Sequence, residues 1–155
     1  MVLFYTHLLM GVTAFLLIKD SFLGGNTLIL FLIILLGSIL PDIDERRSKI
    51  NTWTGVLGYV VALFSRHRGF FHSLLFFISS SLVMGYYWNS YYAGGLFLGY
   101  SLHLLGDGFT RQGVQIFYPF SDFKISGPIK VGGIVEVLLV LLLIVTVAGI
   151  LFFLI

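Results

Sequence analysis

Apolar residues fall in five runs long enough, or nearly so, for the roughly 17 to 25 residues that a membrane-crossing helix needs, and short polar stretches separate them. The first run, residues 2–18, would be about 26 Å long as a helix and just spans, with His7 in its second turn. Lys19-Asp20-Ser21 with Gly24-Gly25-Asn26 reads as a tight polar turn, after which residues 28–40 return to the starting side. The next apolar stretch, 53–64, would measure only about 18 Å. That is too short to cross, so it reads as an interfacial or re-entrant helix with Trp53 at the headgroup level. Residues 69–88 cross, Asn89-Ser90-Tyr91-Tyr92 turns, and 93–105 come back. Residues 108–133 form a loop with turn signals at Gly113, Pro119 and Gly127-Pro128; its aromatics, Phe109, Phe117, Tyr118, Phe120 and Phe123, suit a rim dipping into the interface. Residues 131–155 cross a fifth time. The pattern predicts an all-α integral membrane bundle of five transmembrane helices plus one short interfacial or re-entrant helix, with residues 1–155 as a single membrane-embedded domain.

Composition sharpens this. The chain is 58% hydrophobic and 10% charged, against roughly 25% charged in a soluble domain, and its mean hydropathy is +1.02. The first run starts with polar Tyr5-Thr6-His7 and lacks a basic leader and a small-residue cleavage site, so it reads as a retained helix. There are no cysteines, which leaves only His and carboxylate side chains to hold any metal. The net charge of +2 says little, and no nucleic-acid partner is expected. The placement of charge says more. Of the nine Lys and Arg, only Lys19 falls on one side of this topology; Arg46, Arg47, Lys49, Arg66, Arg68, Arg111, Lys124 and Lys130 fall on the other. By the positive-inside rule that face and the N-terminus are cytoplasmic, in a multi-pass protein of the cytoplasmic (inner) membrane.

The same face collects the chemistry. Pro41 ends the second run and sets Asp42 and Asp44 in an extended turn, where charge at the edge of an apolar run needs a partner such as a hard cation or a histidine-bound metal. All four histidines, His7, His67, His72 and His103, and six of the seven acids lie there. His103 and Asp107 are spaced i, i+4, so they project from one side of a helix, as two ligands of one ion do. His67 and His72 bracket a short hinge, and Glu136 sits about one turn inside the last span, where an unpaired carboxylate is costly. Each group has a bland reading. The acidic turn can be a solvated cap paired with Arg46 and Arg47, His7 a hydrogen-bonded core histidine, His103 and Asp107 a structural hydrogen bond, and Glu136 a partner of Lys130. Together they supply more ligands than one ion needs and enough for two.

The ordered motifs Leu40-Pro41-Asp42-Ile43-Asp44, His67-Arg68-Gly69-Phe70-Phe71-His72-Ser73, and Gly99-Tyr100-Ser101-Leu102-His103-Leu104-Leu105-Gly106-Asp107 with Thr110-Arg111-Gln112-Gly113-Val114 and Tyr118-Pro119 resemble the YdjM family of membrane-bound metal-dependent hydrolases. The early His7 and Gly132-x-x-x-Glu136 fit as well, and the likeness covers nearly the whole length. Phe71 and Glu45 depart from the family's usual residues at their positions. That family is distantly similar to zinc-dependent phospholipase C, an all-helical fold with zinc ions held by His, Asp and Glu. The resemblance implies His7, Asp42, His72, His103, Asp107 and Glu136 as metal ligands, with one to three divalent ions, zinc or alternatively manganese.

The expected function is hydrolysis of a phosphoester of a phospholipid or lipid-linked substrate at the cytoplasmic headgroup level by metal-activated water. Asp44, His67 and Arg68 are the candidate catalytic groups, and Arg66, Arg68 and Arg111, with Arg46 beside them, the candidates to hold phosphate. The alternative is a non-enzymatic, metal-stabilised membrane protein, either a transporter or an interaction partner. A transporter needs a polar path through the bilayer, and the far halves of the spans are apolar apart from Ser79-Ser80-Ser81 and Thr146. The sequence leaves the oligomeric state open.

Overall fold

The computed structural model describes residues 4–21, 23–65 and 68–154, and for Leu154 the backbone only. Arg66 and His67, expected to hold phosphate and to act in catalysis, lie outside the described residues. The architecture is all-helical: α1 Phe4–Ile18, α2 Thr27–Ile39, α3 Lys49–Thr54, α4 Val56–Phe64, α5 Leu74–Tyr87, α6 Ser90–Gly108 and α7 Ile134–Leu154, with 3-10 turns at Lys19–Ser21, Leu40–Asp44 and Phe70–His72. Two stretches are long and apolar enough to cross a membrane, Thr27–Asp44 and Ile134–Phe153. At 15 and 14 residues, α1 and α5 reach only about 21–23 Å, short of a hydrocarbon core of about 30 Å. α6 has 19 residues, but Gly, Ser, His and Asp dilute its apolarity.

Polar side chains start the helices. Asn26 caps α2 by accepting from the N–H groups of Leu28 and Ile29, and its own N–H donates to the Tyr92 hydroxyl. Ser48, Ser73 and Asn89 cap α3, α5 and α6 in the same way. Ser73 explains why α5 begins at Leu74 and not near residue 69: its side chain takes the Phe76 N–H, while the chain before it closes as a 3-10 turn. Pro41 also acts differently from expectation. It ends α2, but the chain continues as the 3-10 turn Leu40–Asp44, because its fixed φ suits a first helical turn and its missing N–H would have had no partner there.

α2 and α6 make the closest pairing. Where lipid surrounds a bundle, apolar surface alone does not drive helices together, and close backbone approach with polar contacts does. A Cβ on Gly99 would meet the Ile34 carbonyl oxygen at 2.1 Å, and one on Gly37 would meet the Leu96 carbonyl oxygen at 2.9 Å. Glycine at both positions is what lets the two backbones touch. Around that contact Leu30, Ile33, Ile34, Tyr91, Tyr92 and Leu96 form the core at one end, and Phe77, Tyr100, Leu104 and Val114 form another between α5, α6 and the loop after α6. That loop is ordered by two isolated bridges, Thr110 with Ile129 and Val114 with Ile125. α7 differs from the rest: it packs on α1, and only 6% of its apolar window is buried.

Candidate metal centre

The close α2–α6 contact puts the end of α2 against the last turns of α6, and the site is built there. α6 contributes His103 and Asp107, α1 contributes His7, the 3-10 turn after α2 contributes Asp42 and Asp44, and the 3-10 turn before α5 contributes His72. All six are buried, four of them completely or to within 1%. Among the described residues two groups of side chains offer ligand atoms within 4.8 Å of one another: His7, His103 and Asp107, and Asp42, His72 and His103. The expected ligands His7, Asp42, His72, His103 and Asp107 are therefore brought together from four separate parts of the chain.

Hydrogen bonds set the tautomers. His103 Nδ1 lies 2.8 Å from the Ser38 carbonyl oxygen, which can only accept, so Nδ1 donates and Nε2 keeps its lone pair. His72 Nδ1 lies 3.2 Å from Asp44 Oδ2, and by the same reasoning its Nε2 faces inward as a lone pair. The two Nε2 atoms stand 3.2 Å apart. Two lone pairs at that distance repel unless a proton or a metal cation serves them. Asp42 Oδ1 lies 3.9 Å from His72 Nε2 and 3.8 Å from His103 Nε2, and His7 Nε2 lies 3.6 Å from Asp107 Oδ1. His7 stacks on His103 with ring centroids 4.0 Å apart. Neither His7 ring nitrogen nor Asp42 Oδ1 has a hydrogen-bond partner among the described residues. Buried polar atoms left in this way, in a neutral-imidazole and carboxylate set, fit a divalent cation of the zinc or manganese type.

His72 precedes α5. Burial disfavours its charged ring, but the hydrogen bond and charge of Asp44, with Asp107 and Asp42, outweigh that and raise its pKa above the ordinary histidine value. In the metal-free protein a proton thus competes for this nitrogen, and metal affinity should rise with pH until His72 is neutral.

The surroundings hold this geometry in place. Asp44 Oδ2 also accepts from the Arg68 backbone N–H at 3.2 Å, so this carboxylate positions His72 and the 68–72 segment together. Arg68 has a positive φ of 60° and a buried side chain. Its guanidinium reaches Asp107 Oδ2 at 2.9 Å and donates to the Gly113 carbonyl at 2.5 Å. The expected phosphate-holding group is therefore engaged with a candidate ligand and with the loop after α6. Ser48 Oγ donates to the Asp42 carbonyl at 2.6 Å, Asn51 Nδ2 donates to the Ile43 carbonyl at 2.7 Å, and the Tyr100 hydroxyl donates to the Phe71 carbonyl. These supports were not identified from the sequence. Only the Ser48-x-x-Asn51 cap pattern could have flagged the first two.

Glu136 and Arg111 stand apart from the two groups. Glu136 is buried at the start of α7, where its carboxylate accepts from Thr6 Oγ1 at 3.1 Å and from the Gly132 N–H at 2.6 Å. It approaches the residue next to His7. Arg111 is exposed and donates from Nε to the Pro128 carbonyl at 3.2 Å, and Arg46 is exposed over the Tyr59 ring.

An apolar, all-helical chain with a buried cluster of imidazoles and carboxylates at one end of its helices is of the class of membrane proteins with a candidate metal centre. The chain belongs to the YdjM inner membrane protein family, which it matches over residues 1–154. It is 32% identical over 94 residues to YvsG, an uncharacterized protein of Bacillus subtilis (strain 168), covering 60% of this chain and 58% of that one. It is 32% identical over 91 residues to the inner membrane protein YdjM of Escherichia coli (strain K12), covering 55% of this chain and 46% of that one, and equally to YdjM of Shigella flexneri. The chain spans about half the length of the curated relatives it matches. No solved structure matches it.

Proposed function

We propose that this protein is a membrane-embedded metal-dependent hydrolase acting on a phosphoester of a phospholipid or lipid-linked substrate at the cytoplasmic headgroup level. The observation that carries the reading is the pair of inward-facing Nε2 atoms of His72 and His103, 3.2 Å apart beside Asp42 and Asp107. His7, Asp42, His72, His103 and Asp107 would hold the ion or ions. When bound, a divalent ion at such a centre supplies an acidified water and a Lewis acid for a phosphoryl oxygen. The chain's own part is to keep both histidines in the ligating tautomer through Ser38 and Asp44, to exclude bulk water by burial, and to hold Asp107 through Arg68. The test is to purify the wild-type, His103→Ala and Asp107→Asn proteins and to measure zinc and manganese per chain and phosphoester hydrolysis. Metal and activity should both collapse in the variants; wild-type metal content in both would sink the assignment.

Complete burial of the cluster favours a second reading, an ion that only staples the helices together. The same samples separate the two. A protein that binds metal and unfolds on chelation, yet hydrolyses no lipid phosphoester, has a structural site.

The proposed topology has α1, α2, α5, α6 and α7 crossing, α3 and α4 in the interface, and the N-terminus and metal centre cytoplasmic. The placement of eight of the nine basic residues supports it. Single cysteines at Arg47 and Ser90 should label from opposite sides, with no native cysteine to interfere. Labelling of both from one side would mean that α3 and α4 complete a crossing.

A further inference from the structure

A cavity of about 390 Å³ lies between α5, the second half of α6 and the loop after it. Its inner end is formed by Phe77, Leu104 and Val114, all buried, and its mouth by Leu105, Phe109 and Ile125, all exposed. Among its other lining residues is Ser101, whose hydroxyl already donates to the Phe97 carbonyl. The wall therefore offers a guest almost nothing to hydrogen-bond, and water would be held there at a cost.

Position adds to composition. Leu104 and Gly108 are spaced i, i+4 on the stripe of α6 next to the one that carries His103 and Asp107. Val114 follows Gly113, whose carbonyl accepts from the guanidinium that pairs with Asp107. The inner end of the cavity is thus one residue away, along two separate chain segments, from the candidate metal centre. From there the cavity runs about two turns back along α6, to Ser101, and to Phe77 in the first turn of α5. Both lie away from the end of the bundle where the histidines sit. Its mouth opens through exposed leucine, phenylalanine and isoleucine in a chain of the inner-membrane family, so the medium at that mouth is hydrocarbon.

We propose that this cavity is the binding site for one acyl chain of a membrane lipid, and that it holds the substrate's chain while the headgroup phosphoester is presented to the metal centre. The second half of that statement rests on the hydrolase reading; the lipid site itself does not. Chain length then becomes a selectivity determinant, since each methylene buried contributes about 0.8 kcal/mol.

The site can be filled without moving the backbone. A Cβ on Gly108 would meet Ile125 and Val114 at 3.8 Å, ordinary contact distance, so Gly108→Leu projects into the space. Ser101→Phe fills it from the other end and touches none of the proposed ligands. The probe is a phosphatidylcholine with a diazirine in mid acyl chain, incorporated with the full-length protein into lipid nanodiscs and photolysed. Cross-links in the wild-type protein should concentrate in residues 101–116. In both filled variants they should fall roughly tenfold there, the loss expected for excluding about two methylenes, while labelling of α7 stays constant. Unchanged labelling of 101–116 in the filled variants, or labelling no denser there than on α7, overturns the proposal. Metal content reports that the variants are folded. Hydrolysis, measured with long-chain and short-chain phosphoesters, separates the two readings. Cavity labelling without hydrolysis defeats the hydrolase and leaves the lipid site. Hydrolysis with the same chain-length preference in wild type and filled variants defeats the acyl-chain site and leaves the hydrolase.

Discussion

Two stretches of this chain pass the same test of length and apolarity, and they are built for different purposes. Thr27–Asp44 has a mean hydropathy of 2.1 and is 56% buried; Ile134–Phe153 has a mean hydropathy of 3.0 and is 6% buried. The more apolar one is the one that packs least. α2 is wired into the protein by two glycine contacts with α6, by the Ser38 carbonyl that holds His103, and by the acidic turn at its end. α7 touches α1 and brings one buried polar group, Glu136. Hydropathy thus measures compatibility with lipid, whereas small residues and polar atoms decide which helices are joined to one another.

The largest expected effect is therefore at the α2–α6 contact. Gly99→Leu would drive a side chain into the Ile34 backbone, from which even a Cβ would be only 2.1 Å away, and no rotamer escapes that. The helices must separate, which pulls Ser38 from His103 and opens the centre. Loss of stability of about 3 kcal/mol or more is expected, together with loss of bound metal. Thermal unfolding in detergent, with metal per chain on the same preparation, checks both. A Gly99→Leu protein with wild-type melting and metal content would show that α2 is no more tightly held than α7.

A step smaller is Asp44→Asn. The carboxylate does not belong to either ligand group; it holds His72 through Nδ1 and the Arg68 backbone N–H. An amide can still accept one of these bonds, so the fold should persist while metal affinity drops about 10- to 100-fold, the usual loss for removing an outer partner of a ligating histidine. Competition with a chromophoric chelator measures it. An affinity unchanged within a factor of two would mean that His72 is oriented by packing alone.

Much of the centre was legible in the sequence because charge is conspicuous in apolar runs. His7, Asp42, His72, His103 and Asp107 each interrupt or terminate such a run, and the His103–Asp107 spacing already placed two of them on one helix face. The helices were legible for the same reason, with ends displaced where a side-chain cap such as Ser73 or the 3-10 turn after Ile39 took over from apolarity. What could not be read depends on tertiary proximity. Arg68 was assigned to phosphate because arginine suits phosphate, but its nearest anion is Asp107, on another helix. Gly37 and Gly99 look like any glycines in an apolar stretch until the backbones they admit are in place. Asn51 and the Ser38 carbonyl are similarly silent, since a polar atom's partner eight or sixty-five residues away leaves no local pattern.

The smallest effect is expected in α7, and Glu136 is the residue that makes the comparison sharp. If this carboxylate ligates the metal, the last helix is part of the centre and the contrast with α2 fails. Its oxygens accept from Thr6 Oγ1 and the Gly132 N–H, which ties the start of α7 to the start of α1 and satisfies an otherwise exposed helix-start N–H. Glu136→Gln keeps one acceptor oxygen for Gly132 but turns an amide toward Thr6 or loses that contact, so one charge-assisted hydrogen bond is weakened in a buried setting. A loss of about 1–2 kcal/mol and a melting temperature lower by a few degrees are expected, with metal per chain retained. Leu142→Ala, on an exposed part of α7, should change neither within about 0.5 kcal/mol. The reverse pattern, metal lost in Glu136→Gln while melting of the chelated protein is unchanged, would place the carboxylate in the centre and make α7 the fifth segment that builds it.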